Sequence, residues 1–533
     1  MGGVSEAIAA LLAGVPFMLR IGISLLTGLI LAVPALAQQQ PAGKLVSETW
    51  DAAYLEGARA GYVHTTTREF MVGGDKVLRT VQELKLSVRR FGQRADMLAE
   101  KMTDETPSPT GFLLGVHFRM MAGQDTQLEL HAPVEDGNFL IDLSGGAVAG
   151  PQKAFKIPWD KDIVGLVREE NLLKDRKVKA GDSFSYRLFE PSVVRVAKVQ
   201  VDVKDEEKVT LSGGERILLR VEAKPERIAD VQLPTQTLWV DNNRRLVASD
   251  VLMPGLGKLH LERTTKEIAT IVPNPAKLPD IGQIQALPLD FRLPFPPHGQ
   301  STIVFRISLP EDKGDDVTTA FSKGDGRQEI KNVEGKKFDL YIHADRKPDP
   351  NGKNGKVPDE YIKSNFFLTS DDPKVQELAK QAVGKETDPW RQALKIERWV
   401  HNNMKTVDFS IAMAPASEVA RNLAGDCTEF SMLTAAMCKA VGIPARTAIG
   451  YIYYEDPRNR LPMLGFHMWT EVMINGGWQG LDATLGLGGA GSAHIKITDH
   501  SWYETRSLAP LLPVMRIMSA KPKIEVLKIE NGK

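Results

Sequence analysis

From Leu45 to about Val272 apolar and polar residues alternate with a period of two, and short clusters of turn residues separate the runs. Leu84, Leu86 and Val88 alternate with Lys85, Ser87 and Arg89, and Gly73-Gly74 divides two such runs. This is the pattern of antiparallel strands with one wet face. Further hairpins are predicted in VQVDVKDEEKVTLSGGERILLRVEAK and in TLWVDNNRRLVASDV, the latter turning at Asp241 to Asn243. DIVGLVREENLLKD is a helical interruption. Pro273 to Gly299 is proline-rich and predicts a linker. A smaller β segment follows, with TIVFRISLP and KKFDLYIHA as its strands.

Beyond Phe367 the period becomes helical. Asp371 is placed to cap DPKVQELAKQAVG, and Asp388-Pro389 opens a helix on which Ala393, Ile396 and Val400 share a face. A shorter helix from Ser417 should stop near Gly425. CTEFSMLTAAMCKAVGIPAR then places Phe430, Leu433 and Met437 at helical spacing and ends at Gly442, with Pro444 beyond. The expected class is α+β: a β-rich part over 45–272, a linker over 273–299, a small β segment over 300–365, a helix-and-strand domain over 366–515 and a tail over 516–533.

The N-terminus changes the expected location. Arg20 is the first basic residue, Ile21 to Val33 is apolar, and Ala35-Leu36-Ala37 precedes three glutamines. That is the layout of a secretory signal over 1–37, starting from Met18 and cleaved after Ala37. The apolar run is shorter than the roughly 20 residues of a spanning helix, which leaves an uncleaved N-terminal anchor as the alternative. A periplasmic or secreted protein with no stable membrane insertion after cleavage is expected. Lys plus Arg and Asp plus Glu both number 67, so no basic field for nucleic acid is implied.

That location makes the two cysteines, Cys427 and Cys438, worth explaining. On one helix their eleven-residue separation puts the Cα atoms about 16 Å apart, whereas a disulfide tolerates about 7 Å. Both should be free thiols. Cys438 reads as a small buried hydrophobe beside Met437. Cys427 falls within a turn of the helix N-terminus, where free N–H groups and the dipole favour negative charge and can hold an oxyanion.

A base and a carboxylate lie on the following hairpin, GFHMWTEVMINGGWQGLDATLG. His467, Trp469 and Glu471 share one strand face. A tight Gly476-Gly477 turn would set Asp482 opposite Glu471, roughly 13 Å from the level of His467. A loop from Ile474 to Gly477 instead pairs Met473 with Trp478 and makes His467 the diagonal neighbour of Asp482. The second register is predicted.

Gly425-Asp426-Cys427, His467-Met468-Trp469 and Trp478-Gln479-Gly480-Leu481-Asp482-Ala483-Thr484, with GIPARTAIGY between the first two, resemble the transglutaminase-like superfamily over roughly residues 370–500. The resemblance implies a papain-like core in which Cys427 attacks an amide carbonyl, His467 carries the proton and Asp482 fixes the imidazole. It implies acyl transfer from a protein or peptide substrate, resolved by an amine or by water. A scaffold of the cell envelope that keeps the fold without turnover is the alternative. The Cys427 N–H would form part of the oxyanion hole, and Trp399 or Asn422 could supply a second donor.

Other features keep plainer readings. Trp469 and Trp478 read as core, Glu471 as a partner of Arg446 or solvent, and His494 and His500 as loop or strand residues. No cofactor is expected. No metal is expected either, because the histidines lack metal-ligand spacing with cysteine. Asp349, Asn351 and Glu360 fall at ligand positions of a calcium loop, but Lys353 and Asn354 break the pattern, so the segment reads as a solvated loop.

Overall fold

The computed structural model describes residues 43–531 apart from 91–92, 108–110, 123–124, 145–154, 229–230, 254–255, 281–285, 323–325, 345–346, 354, 407–413, 457–458 and 504–510. The signal expected over 1–37 lies outside the described residues.

Period-two alternation over the first half of the chain builds one fifteen-stranded sheet. The strands run out in sequence order from Lys44–Leu55 to Phe155–Pro158, then return from Ile163–Val164 to Gly257–Thr264, which pairs with Lys44–Leu55. The two edge strands, Phe155–Pro158 and Ile163–Val164, are joined by four residues, a connection that reaches at most about 18 Å. The sheet must therefore curl until its edges approach. One apolar cluster shows the closure, since it combines Leu113, Leu130 and Phe139 of the outgoing arm with Ile163 and Phe189 of the returning arm. Helix Leu166–Asp175 joins the arms as well. Glu105, fully buried on the outgoing arm, accepts hydrogen bonds from the Val167 and Arg168 N–H groups at 2.8 and 3.1 Å. It satisfies free donors that every helix N-terminus leaves.

Two parts of the chain depart from expectation. The proline-rich stretch is docked rather than spacing. Leu287–Pro288 pairs with Leu464 and Met463, and Leu289 and Leu293 are buried in the C-terminal core. Its leucines supply apolar anchors, and its prolines are tolerated because the segment lies at a sheet edge. The expected tail contributes a strand, Lys523–Asn531, which pairs with Gln300–Ser308. That completes a four-stranded antiparallel sheet with Lys337–His343 and Gln328–Glu334. Ile524 on one face is buried while the opposite face stays wet, so the strand's weak alternation reads as a tail in isolation.

A five-stranded sheet carries the site. Its order is Leu287–Pro288, Pro462–Ile474, Ala445–Glu455 and His494–His500, with Gly477–Leu481 also paired to Pro462–Ile474. Helices Pro373–Val383, Pro389–Asn403, Ala416–Asn422 and Cys427–Ala440 accompany it. Asp372, rather than Asp371, caps the first of these. A single core joins this region to the four-stranded sheet, with Phe305 and Leu340 in the same cluster as Ile396, Leu433 and Met437.

The central strand has one close approach. An added Cβ on Gly450 would stand 1.9 Å from the Ile495 carbonyl oxygen, and the pairing slips there, from Ile449 opposite Thr498 to Gly450 opposite Lys496. Gly450→Ala must push the two strands apart. Overpacking of this kind costs about 1–3 kcal/mol. A lowered urea midpoint is the expected result, and an unchanged midpoint would mean that the strands separate freely at this point.

Candidate functional site

Asp426 sets where the Cys427 helix begins. Its side chain accepts from the Thr428 N–H at 2.8 Å, while the Glu429 carboxylate accepts from the Asp426 N–H at 3.0 Å. This reciprocal pair is a capping box. Glu429 also accepts from the Ala414 N–H at 3.2 Å. Burial, reinforced by the Asp426 charge, pushes its carboxyl well above the usual range. Cys427 stands at the first helical position, half-buried. Cys438, on the same helix, is fully buried, and burial with the Glu397 charge pushes its thiol up.

Two hydroxyls fasten that helix to the strand bearing His467. Ser431 Oγ lies 2.6 Å from the Cys427 carbonyl oxygen and 2.8 Å from that of Met468. The Thr470 hydroxyl donates to the Ser431 carbonyl at 3.0 Å. Met468 and Thr470 flank Trp469 on the strand face opposite His467. The bonds therefore hold His467 at a fixed height above the first turn of the helix.

The hairpin adopts the register that pairs Met473 with Trp478. Its turn is tighter than the expected loop: Ile474 pairs with Gly477, and Asn475-Gly476 form a two-residue turn with φ of 51° and 80°. Asn-Gly is the favoured pair for a turn needing positive φ at both positions. Asp482 follows Leu481, which opposes Thr470, and so arrives beside His467.

Asp482 is fully buried. Its Oδ2 accepts from His467 Nε2 at 2.9 Å and from His494 Nε2 at 3.0 Å. Its Oδ1 accepts from the Thr484 and Leu485 N–H groups at 3.0 and 3.3 Å. Burial alone would raise this carboxyl, but the two imidazoles hold it far below the usual carboxylate range. Burial likewise opposes charge on His467; the Asp482 carboxylate, together with a hydrogen bond to Cys427, outweighs it and pushes the imidazole up to about 10. Because Nε2 is engaged by Asp482, Nδ1 is the ring nitrogen left for the Cys427 sulfur.

His494 is held differently. Its Nδ1 accepts from the Gly491 N–H at 3.2 Å, so its Nε2 carries the proton given to Asp482. Burial and the charges of His467 and Arg327 keep its pKa below the ordinary value despite Asp482. Arg327 clasps the same segment, donating to the carbonyls of Gly491 and His494 at 3.0 and 2.9 Å. Behind Asp482, the buried Glu397 accepts from the Asp482 and Gly489 N–H groups at 3.0 and 3.4 Å. Burial, with the Asp482 charge adding to it, pushes Glu397 up to about 7.

Cys427, His467 and Asp482, the residues singled out from sequence, thus meet at one place. Two participants were missed. His494 lies on a strand whose partner, Ala445–Glu455, is distant in sequence, and only that pairing aims it at Asp482. Glu397 reads as one more polar residue of a helix. Trp469 is core, stacked at 6.3 Å on His467 and edge-on at 5.3 Å to His494. Trp478 lies under Arg446 at 3.9 Å. Glu471 accepts from Arg446 at 2.8 Å, as expected, and also from buried Lys496 at 2.7 Å. In the segment read as a solvated loop, the Glu360 carboxylate accepts from Ser501 Oγ at 2.7 Å.

Comparison with known proteins gives the site a context. An uncharacterized protein of Haemophilus influenzae is 32% identical over 96 residues, which are 17% of this chain and 26% of that one. Annulin of Schistocerca americana is 25% identical over 126 residues, 18% of this chain and 14% of annulin. The matches thus span about a quarter and a seventh of those relatives. A proposed cysteine protease from Cytophaga hutchinsonii, 19% identical, aligns over 44% of this chain and 86% of its own, with a TM-score of 0.26. The family model for the transglutaminase-like superfamily matches residues 376–483, a stretch that contains Cys427, His467 and Asp482. This chain therefore carries a transglutaminase-like superfamily domain at residues 376–483, behind a large antiparallel β region.

Proposed function

We propose that the chain is an exported cysteine acyl-transfer enzyme that forms a thioester with the amide of a protein or peptide. The observation that carries this reading is the hydrogen-bonded sequence Asp482, His467, Cys427, with the sulfur at the open end and the carboxylate buried. Cys427 Sγ attacks the amide carbonyl carbon, the carbon–nitrogen bond breaks, and the amine leaves with the proton held by His467. Water or a second amine then adds to the thioester, gives a proton back to His467 and releases the thiol. The Cys427 N–H, which at the first helical position has no intrahelical acceptor, is placed to donate to the oxyanion. Export rests on the signal-like residues 1–37. Among the described residues no helix is long and apolar enough to cross a membrane.

Incubation of the full chain with a glutamine-containing protein and a labelled primary amine tests the chemistry. Incorporated label that disappears with Cys427→Ala identifies amine acceptance, and ammonia release without label identifies hydrolysis. Neither signal, together with equal slow alkylation of both thiols, would turn the reading toward a scaffold.

Alkylation is the independent check. Cys427 is half-buried at a helix start and Cys438 is fully buried. Iodoacetamide should modify Cys427 at least about tenfold faster, as read by peptide mass mapping.

The pH dependence has a definite sign. The folded chain holds His467 protonated to about 10, against about 6.5 for a free imidazole. The pair's stabilisation is complete between about 4, where a free carboxylate titrates, and about 6.5, and it fades as pH rises through about 10. Asp482→Asn should therefore lower the melting temperature more at pH 6 than at pH 10.5, and cut turnover on the order of 100-fold or more. A melting difference independent of pH would remove the charge pair from the account.

A further inference from the structure

A cluster of groups able to bind a metal stands on the outward face of the large β region, in strands outside the transglutaminase-like domain. The strand pairing sets Met102, His117, His131 and Asp142 in one cross-strand row, each opposite the next. Glu129 precedes His131 by two residues and so shares its face. His117 Nε2 and His131 Nε2 lie 3.0 and 3.6 Å from the same Glu129 Oε1, and the three candidate ligand atoms are all within 4.8 Å of one another. The two imidazoles stand 4.2 Å apart at 32°.

From this geometry we propose a binding site for a divalent transition metal, with zinc as the best fit, held by His117, His131 and Glu129. Zinc bonds of 2.0–2.1 Å in a tetrahedron separate neighbouring ligand atoms by about 3.3 Å. The two nitrogen-to-oxygen distances bracket that value. A hydrogen-bonded reading accounts for less. At 3.6 Å His131 is beyond hydrogen-bond range of the oxygen that His117 engages, so in the hydrogen-bonded reading the second ring is held there at ion-pair distance only. A metal ion satisfies both rings and the carboxylate at once. Imidazole with carboxylate is a donor set suited to zinc or copper rather than to calcium or magnesium.

The surroundings favour the assignment. Val116, Leu130 and Ala132, on the other face of the same two strands, are buried, so the ligands project from a fixed backbone. The His131 side chain is 54% exposed, which leaves the fourth position open to water. Asp142, directly opposite His131 and exposed, stands a cross-strand distance of about 5 Å away at Cβ and can reach the same position. Arg119, opposite Glu129, is the nearby cation; its Nη2 lies 3.4 Å from Glu100 on the far side.

Chelator-treated full chain titrated with zinc by calorimetry is the test, with cobalt absorbance reporting the geometry. One equivalent of zinc should bind, cobalt should give a tetrahedral spectrum, and both should survive Cys427→Ala, which separates this site from the thiol. His117→Gln with His131→Gln should weaken binding at least about tenfold with circular dichroism unchanged. Should that double variant not fold, the milder Glu129→Gln must show the weakening instead. Zinc also should raise the melting temperature of the parent chain and not of the folded variant. Failure of the parent to bind zinc, or equal affinity in a folded variant, would overturn the site.

Discussion

Asp482 carries a charge with no access to water, and the architecture of the C-terminal half follows from making that tolerable. A buried carboxylate is costly unless every lone pair finds a donor and an opposite charge stands close. Here two imidazoles share Oδ2, and two peptide N–H groups from the following turn reach Oδ1. The donors come from three separate stretches: His467 on one strand, His494 on another, and the residues after Asp482. Only a sheet in which Pro462–Ile474 and His494–His500 flank Ala445–Glu455 brings them to one point. The helix bearing Glu397 then closes the far side by accepting the Asp482 N–H.

Convergence at that tolerance depends on backbone features as much as on the reacting side chains. Gly450 admits the His494 strand to a distance that no side chain permits. The Asn475-Gly476 turn fixes the hairpin register, and a slip of one residue would send Asp482 to the other face of the sheet. Ser431 and Thr470 tie the thiol's helix to the imidazole's strand through carbonyl groups, independently of the reacting atoms.

How far this was legible follows from the range of each interaction. The capping box is local, written in Asp426 and Glu429, so the helix start was readable. Leu84, Leu86 and Val88 announced a strand with one wet face, and Leu86 and Val88 are buried. The register of the hairpin was readable because only one choice lets His467 meet Asp482, yet the turn was expected as a four-residue loop from Ile474 to Gly477, since the only tight turn weighed was Gly476-Gly477 and not Asn475-Gly476. His494 was not readable, because its partner is set by a strand crossover that no local pattern records. The cluster of His117, Glu129 and His131 was not readable for the same reason, since cross-strand register assembles it. The docking of Leu289 and Leu293 was hidden by prolines that mark a linker and an edge segment alike.

The charge arithmetic of the site explains why it holds two histidines. Asp482 is negative, and one positive partner balances it. If both imidazoles were protonated the pocket would carry an excess cation beside Arg327; if neither were, it would hold an uncompensated anion. The Gly491 N–H settles the choice by occupying Nδ1 of His494, which confines that ring to its neutral form, accepting at Nδ1 and donating to Asp482 from Nε2. His467 is then the ring that takes the charge. Glu397, sharing the same burial, is pushed up to about 7, so its negative charge behind Asp482 is only partial near neutrality. With the deep groups fixed, a proton passing between imidazole and sulfur alters charge only at His467 and Cys427, and Cys427 is the one of these residues that reaches the surface.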